Sequence, residues 1–298
     1  MWFVGNLNTG GDARYVKGAF VNGVQYAFLA DGQKGLEIID ISNPGNPSLA
    51  YNYVTNGYVR EVYVDSLSSN KYVFLSDENN GLYILNITNP SSAYLDTLIS
   101  YPGGVNSSYL KNGYLYVALR QSQIKILNLN TLPDSVYEVS TYNSQYIVNH
   151  LEISGSIAYL LQGNLGFELV DISNPLSPVY RSGFNTSGSC NDIKIADNLA
   201  YIANGSAGIA VMNISNPSQP YLVSFTNTES DVKGIDYSPN FLFTTEYNMG
   251  AEVFNLFNPI NPEAFGYYEA PGYCYGVHFF KNKVLIANGQ HGLLILRY

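Results

Sequence analysis

The 298-residue sequence predicts an all-β fold: a seven-bladed β-propeller with four antiparallel strands per blade, the last blade completed by an amino-terminal strand. Three observations predict it. A five-residue pattern recurs seven times at intervals near 42 residues, each interval holds four short strand-like runs, and the first residues supply the run that the last copy lacks. A fixed period in this range marks a repeat architecture.

The pattern occupies Leu36–Asp40, Leu82–Asn86, Ile124–Asn128, Phe167–Asp171, Ile209–Asn213, Ala251–Asn255 and Leu293–Arg297. Glycine precedes every copy except the third, where Gln123 stands, and successive copies step by 46, 42, 43, 42, 42 and 42 residues. The fifth repeat shows the unit most clearly. Asp192–Ala196 alternates apolar and polar residues and turns at Asp197-Asn198 into Leu199–Ala203. The loop Asn204–Gly208 leads to Ile209–Asn213, and a turn at Asn216-Pro217 leads to Tyr221–Phe225. Short alternating runs bounded by Gly, Asn and Pro are strands joined by tight turns.

Asn-Pro recurs at Asn43-Pro44, Asn89-Pro90, Asn174-Pro175 and Asn258-Pro259, and a second proline follows three residues on at Pro47, Pro178, Pro220 and Pro262. Proline fixes its own φ and pushes the preceding residue out of the helical region, so these are rigid strand-ending turns and not ligands for a peptide-binding domain. A four-stranded unit has two faces to cover and two edges to protect, and radial repetition does both. The expected blades are about 12–55, 56–101, 102–143, 144–186, 187–227, 228–270, and 271–298 joined by 1–8. Phe3–Leu7 is similar to the fourth-strand run Ala264–Tyr268, and the last copy offers only Val277–Phe280, Val284–Ala287 and Leu293–Arg297. Two repeats depart from the pattern. The third lacks Asn-Pro and has the loop Arg120–Gln123, and the second carries an insertion at Leu67–Asn70.

Composition agrees with an all-β chain. Apolar residues make up 46%, charged residues 12%, about half the usual share, and Tyr and Gly number 27 each. Tyr, Val, Ile and Phe favour half-buried pleated surfaces. A net charge of −9 without a basic cluster argues against nucleic acid or an anionic membrane surface as partner. No apolar run reaches the ~18 residues of a membrane span. Met1–Val4 leads straight into strand-like sequence, so an exported form would have lost its leader. Cys190 and Cys274 lie two repeats apart, too far for a disulfide, and are expected as free thiols.

These residues resemble the LVIVD repeat family, named for its pentapeptide. Gly before the pattern, Asn-Pro after it and tyrosine in the second strand carry the resemblance across essentially the whole chain. It implies a propeller of exported or cell-surface proteins, with no family-wide catalytic motif.

Chemistry is sparsely written. His150, His278 and His291 fall in different repeats without metal-ligand spacing, and Asp77–Asn80 reads as a solvated turn and not a Ca²⁺ loop. No nucleophile elbow or phosphate loop is present, so no metal and no cofactor are expected. Five Asn-x-Ser/Thr sequons are about what composition alone gives. Loops on a rigid scaffold are where binding residues sit, and two rings of candidates follow from aligning the repeats. At the end of the second strand stand Asp31, Asp77, Arg120 (taken with a one-residue shift), Gln162, Asn204, Glu246 and Asn288. At the start of the first strand stand Lys17, Arg60, Asn106, Asn149, Asn191, Lys233 and Tyr275, followed one position on by Glu61, Ser107, His150 and Asp192.

The expected function is a non-catalytic, monomeric recognition or scaffolding module for a protein or a surface glycan, extracellular or at the cell surface, with Tyr58, Tyr101, Tyr273 and Tyr275 as exposed contacts. The alternatives are a carbohydrate lyase or hydrolase using Glu246, Asp192, Glu61 and His150, and a purely structural domain of a longer surface protein.

Overall fold

The computed structural model describes residues 1–67 and 69–298. Among these the chain forms seven four-stranded antiparallel sheets. Six use consecutive strands, as in Tyr15–Val21, Val24–Ala30, Leu36–Asp40 and Ser48–Tyr53. The seventh joins Gly276–Phe280, Lys283–Ala287 and Leu293–Arg297 to the amino-terminal strand Trp2–Leu7, which pairs Phe3 with Leu296 and Leu7 with Leu293. Each innermost strand packs on the next, and Gly276–Phe280 packs on Tyr15–Val21, so the ring closes. The insertion expected at Leu67–Asn70 includes Ser68, which lies outside the described residues.

The pentapeptide is the strand that each blade buries on both faces. Side chains alternate across a pleated strand, so Phe28, Leu36 and Ile38 pack with Val62, Val73 and Leu75 of the second blade. Leu29 and Ile39, on the opposite face, pack with Leu285, Leu293 and Ile295 of the seventh. All of these are fully buried, and each such side chain stabilises by roughly 1.5–3 kcal/mol. The charged residues have little place in such a sandwich, which accounts for their low share.

The glycine before the pentapeptide has a steric cause. At Gly208, φ is 79°, and a Cβ would meet the Thr226 carbonyl oxygen at 2.2 Å. In the third blade the left-handed conformation moves back one residue to Ser122 (φ 58°), which frees Gln123 to join the strand. Each Asn-Pro turn is closed by a backbone bond from the residue three positions after the Asn, as from Gln219 N to Asn216 O at 2.9 Å.

A β-bulge sits between the third and fourth residues of the pattern in six blades, for example at Val211/Met212, and at Phe3/Gly5 in the closing strand. The extra residue increases twist and turns the outermost strand away from the inner three. The sequence pattern does not show it.

Candidate functional site

The site is built by the first residues of the seven innermost strands. The ladder pairs Tyr15 with Ala30, His150 with Leu161, Asp192 with Ala203 and Gly276 with Ala287. This register corrects one position of the expected ring. In the first blade Arg14 and Tyr15, and not Lys17, stand level with Asn191 and Asp192, because the first hairpin is two residues longer in each strand. Lys17 pairs with Phe28, as Lys194 pairs with Tyr201, one layer deeper in the channel.

The other expected ring is corrected at Arg120. Leu119 pairs with Val105 as Asp77 pairs with Val59 and Glu246 with Val232, so no one-residue shift applies. Arg120 follows it and reaches outward to Glu78 at 2.9 Å. The rest of this ring, Asp31, Asp77, Gln162, Asn204, Glu246 and Asn288, is buried. Several of these side chains seat nearby loops, some of them in the preceding blade. Asp77 accepts from the Asn79 and Asn80 backbone N–H groups, both at 2.9 Å, and from the Thr55 hydroxyl at 3.0 Å. Asn204 donates to the Thr186 carbonyl at 3.3 Å, and Gln162 donates to Glu168 at 2.8 Å. Asn288 accepts from the Cys274 thiol at 3.5 Å. Both cysteines are free and buried, and burial raises Cys190 to about 11 and Cys274 to about 12.

The second ring opens into a central funnel of about 430 Å³, lined by Arg14, Tyr15, Arg60, Glu61, Asn149, His150, Asn191, Asp192, Lys233, Tyr247, Tyr275 and Gly276. Its core is a chain of polar groups crossing blade boundaries. Glu61 accepts from the Ser107 hydroxyl at 3.0 Å, and Ser107 Oγ accepts from the Leu151 N–H at 3.1 Å. His150 Nδ1 lies 3.0 Å from Glu61 Oε2, and Nε2 lies 3.3 Å from Asp192 Oδ1. Asp192 also accepts from the Ile235 N–H of the next blade at 3.0 Å.

Burial works against a charged imidazole, yet the Glu61 carboxylate and then Asp192 raise the His150 pKa above the ordinary histidine range. One layer deeper, Lys194 contacts Glu152 at 3.1 Å, and Asp236 accepts from His278 Nδ1 at 2.9 Å. Burial opposes ionisation of Asp236 too, but the His278 hydrogen bond and the nearby Lys194 and Lys17 charges bring it down to about 2. Burial, then the neighbouring Lys194 charge, lowers Lys17. A low local dielectric strengthens the contacts within such a network, and this one links the second through seventh blades around the channel.

The mouth has a different character. Its cations are taken up by local acids: Arg60 by Glu78 at 3.0 Å, Lys233 by Asp231 at 2.7 Å and Arg14 by Asp12 at 3.5 Å. The aromatic residues gather beside these pairs. Tyr247 and Tyr273 stack at 4.4 Å, Tyr275 meets Tyr247 edge-on at 5.6 Å, and the Arg14 guanidinium lies 3.7 Å over the Tyr275 ring. Tyr58, which donates to Asp12, joins Tyr273 and Tyr275 along a neighbouring groove of about 610 Å³, with Gln33, Lys34 and Gln290. Tyr101 stands apart and packs against the core between the second and third blades. Tyr247 and Arg14 were not anticipated from sequence. Tyr247 could have been found as the residue directly after Glu246, where the first, fourth, fifth and seventh repeats carry Gly32, Gly163, Gly205 and Gly289.

Among the described residues no three His, Cys, Asp or Glu side chains converge to hold a metal ion. No helix is long and apolar enough to cross a membrane.

Solved structures share this fold, among them a designed protein and U3-55K. The computationally designed Ika8 protein superposes with a TM-score of 0.68 at 9% identity, covering 99% of each chain. U3-55K superposes at 0.76 with 11% identity, covering 100% of this chain and 98% of that one. At these identities the likeness is one of fold alone. No curated protein matches the chain by sequence. The LVIVD repeat model matches residues 10–55, 56–97, 147–186 and 187–228, more than half of the chain, so this propeller belongs to the LVIVD repeat family.

Proposed function

We propose that this propeller is a non-catalytic, monomeric recognition module, exported or displayed at the cell surface, which binds a glycan or a glycan-bearing protein through its loop-bearing face. The observation that carries this reading is the aromatic groove of Tyr58, Tyr273 and Tyr275, continuous through Tyr275 and Tyr247 with the funnel. Tyrosine offers large contact area at low entropic cost, with a hydroxyl for hydrogen bonding. Arg14, Arg60 and Lys233 are already paired with acids, and Lys34 adds one exposed cation to the groove, so the ligand it suits is polar and carries little charge.

A second reading, a carbohydrate lyase or hydrolase, draws on Glu61, His150 and Asp192 in one cavity. Acid–base catalysis needs a group free to exchange a proton with substrate. Both imidazole nitrogens face carboxylates at 3.0 and 3.3 Å, and Glu246 lies outside the funnel, so recognition is the stronger reading.

Labelled protein on a glycan array, beside the Tyr58→Ala/Tyr273→Ala variant, tests the proposal. The expected result is selective binding that the double variant loses. Binding that survives both substitutions would move the site elsewhere, and turnover of a bound oligosaccharide would favour the enzyme.

A further inference from the structure

The same two positions, the end of the second strand and the second residue of the pentapeptide, are filled differently around the ring. In the fourth blade Gln162 donates its amide to Glu168 at 2.8 Å, a neutral donor matched to a carboxylate. In the first and sixth blades both positions carry acids, Asp31 with Glu37 and Glu246 with Glu252. The first-blade pair is sealed beneath its loop. The sixth-blade pair opens into a notch of about 320 Å³ lined also by Glu229, Glu269, Met249 and Tyr267.

Three features of the notch point to a cationic occupant. No Lys, Arg or His lines it, so four carboxyls stand without a counter-charge. Glu246 is only 2% exposed; its Oε2 accepts from the Ser230 N–H at 3.0 Å, while its Oε1 is buried with no hydrogen-bond partner among the described residues. Burial and the adjoining Glu252 carboxyl oppose ionisation of Glu246, so the pair either keeps a proton between its oxygens or takes a cation in the proton's place. Met249 and Tyr267, 43% and 67% exposed, give the notch an apolar and aromatic flank.

A bare metal ion does not fit this description, because the carboxylates do not converge on a point and the volume exceeds a water's ~30 Å³ about tenfold. A guanidinium or ammonium on an alkyl stem does fit. Its head group would meet the Glu246 and Glu252 oxygens, and its stem would lie along Met249 and Tyr267. From this geometry we infer that the sixth-blade notch is a docking site for an alkylguanidinium or alkylammonium group, such as an arginine or lysine side chain of a partner protein.

Docking there is linked to a proton. Burial first, and then the adjoining Glu252 carboxyl, push Glu246 up to about 8. The titratable groups facing it are Glu229 from the preceding loop, Glu252 on the third strand, Tyr267 on the fourth and Glu269 beyond it. The pair therefore holds a proton at neutral pH, and an arriving cation expels it. The notch shares no residue with the tyrosine groove, so this inference stands or falls apart from the glycan reading.

The three methionines, Met1, Met212 and Met249, make the test specific. Methyl-labelled methionine NMR would follow titration with n-propylguanidinium at constant ionic strength, with Ca²⁺ as comparator. The expected result is a saturable shift of Met249 alone, with affinity rising about tenfold per pH unit up to about pH 8 and levelling above it. Glu252→Gln and the surface variant Glu269→Gln should each weaken it, the first by tenfold or more, while unmoved Met1 and Met212 signals report an intact ring. Saturation by Ca²⁺ in place of the guanidinium, a shift undiminished in Glu252→Gln, or no Met249 shift up to the solubility of the cation would overturn the inference.

Discussion

The two faces of this ring are made from the same repeat and use it in opposite ways. On the Asn-Pro face, one arrangement recurs in three successive blades. Ser140, Ser182 and Ser224 on outermost strands donate to the Pro175, Pro217 and Ile260 carbonyls of the following blade's turn, at 2.5, 2.7 and 2.5 Å. On the opposite face the groups change around the ring: Arg14, Arg60, Asn106, Asn149, Asn191, Lys233 and Tyr275 occupy one repeated position. Copies hold neighbouring blades in register, whereas differences create a surface with one orientation and one composition. A ligand that needs a unique site has only the second face to use.

Substitutions of four kinds would break or sharpen this contrast, in falling order of expected effect. Replacing His150 by Ala strands Glu61 and Asp192, whose side chains are only 7% and 5% exposed, and should cost about 3–5 kcal/mol, as for other broken buried ion pairs. The sign with pH follows from the raised His150 pKa. Its contribution is fully present below the unfolded value of about 6.5 and is lost as pH rises through the folded value. Urea melts at acidic and alkaline pH should therefore show a wider gap between wild type and His150→Gln on the acidic side. A gap independent of pH would deny the imidazolium its place in the funnel.

Next in size is Gly208→Ala, which places a Cβ against the Thr226 carbonyl at positive φ and should cost about 1–3 kcal/mol in a thermal melt. Ser182→Ala removes one bond of the copied face, for about 0.5–1.5 kcal/mol. If copying is purely structural, Ser140→Ala and Ser224→Ala should match it within error; unequal losses would show that this face, too, is individual. Tyr273→Ala is the smallest for stability, within about 0.5 kcal/mol for a residue 50% exposed, yet it should abolish ligand binding. Measured together, melts and binding separate a residue that holds the ring from one that serves it.

How much of this was legible depended on repetition. Blade number, the closing strand and the glycine and Asn-Pro turns were readable because each is forced by backbone geometry that recurs in nearly every copy. Lys17 was misplaced because the first hairpin gains two residues on each strand, Tyr15–Val21 and Val24–Ala30, and alternation continues unbroken through the added length. Arg120 was misplaced by reading a polar residue into a position that Leu119 holds. The inward turn of Asp77 had a signal that went unused: Asp and Asn bond their own backbone two residues on, as Asp77 does with Asn79. The bulges and the stacking of Tyr247 on Tyr273 had none, since both depend on how strands twist and which loops then meet.

The claim that recognition belongs to the loop-bearing face is tested most directly by hydrogen exchange of the ring with and without the glycan that binds it best on an array. The account predicts slowed exchange in the loops 10–14, 56–60, 247–249 and 271–276, with the Asn-Pro turns 174–178 and 216–220 unchanged. Protection confined to those turns would contradict it.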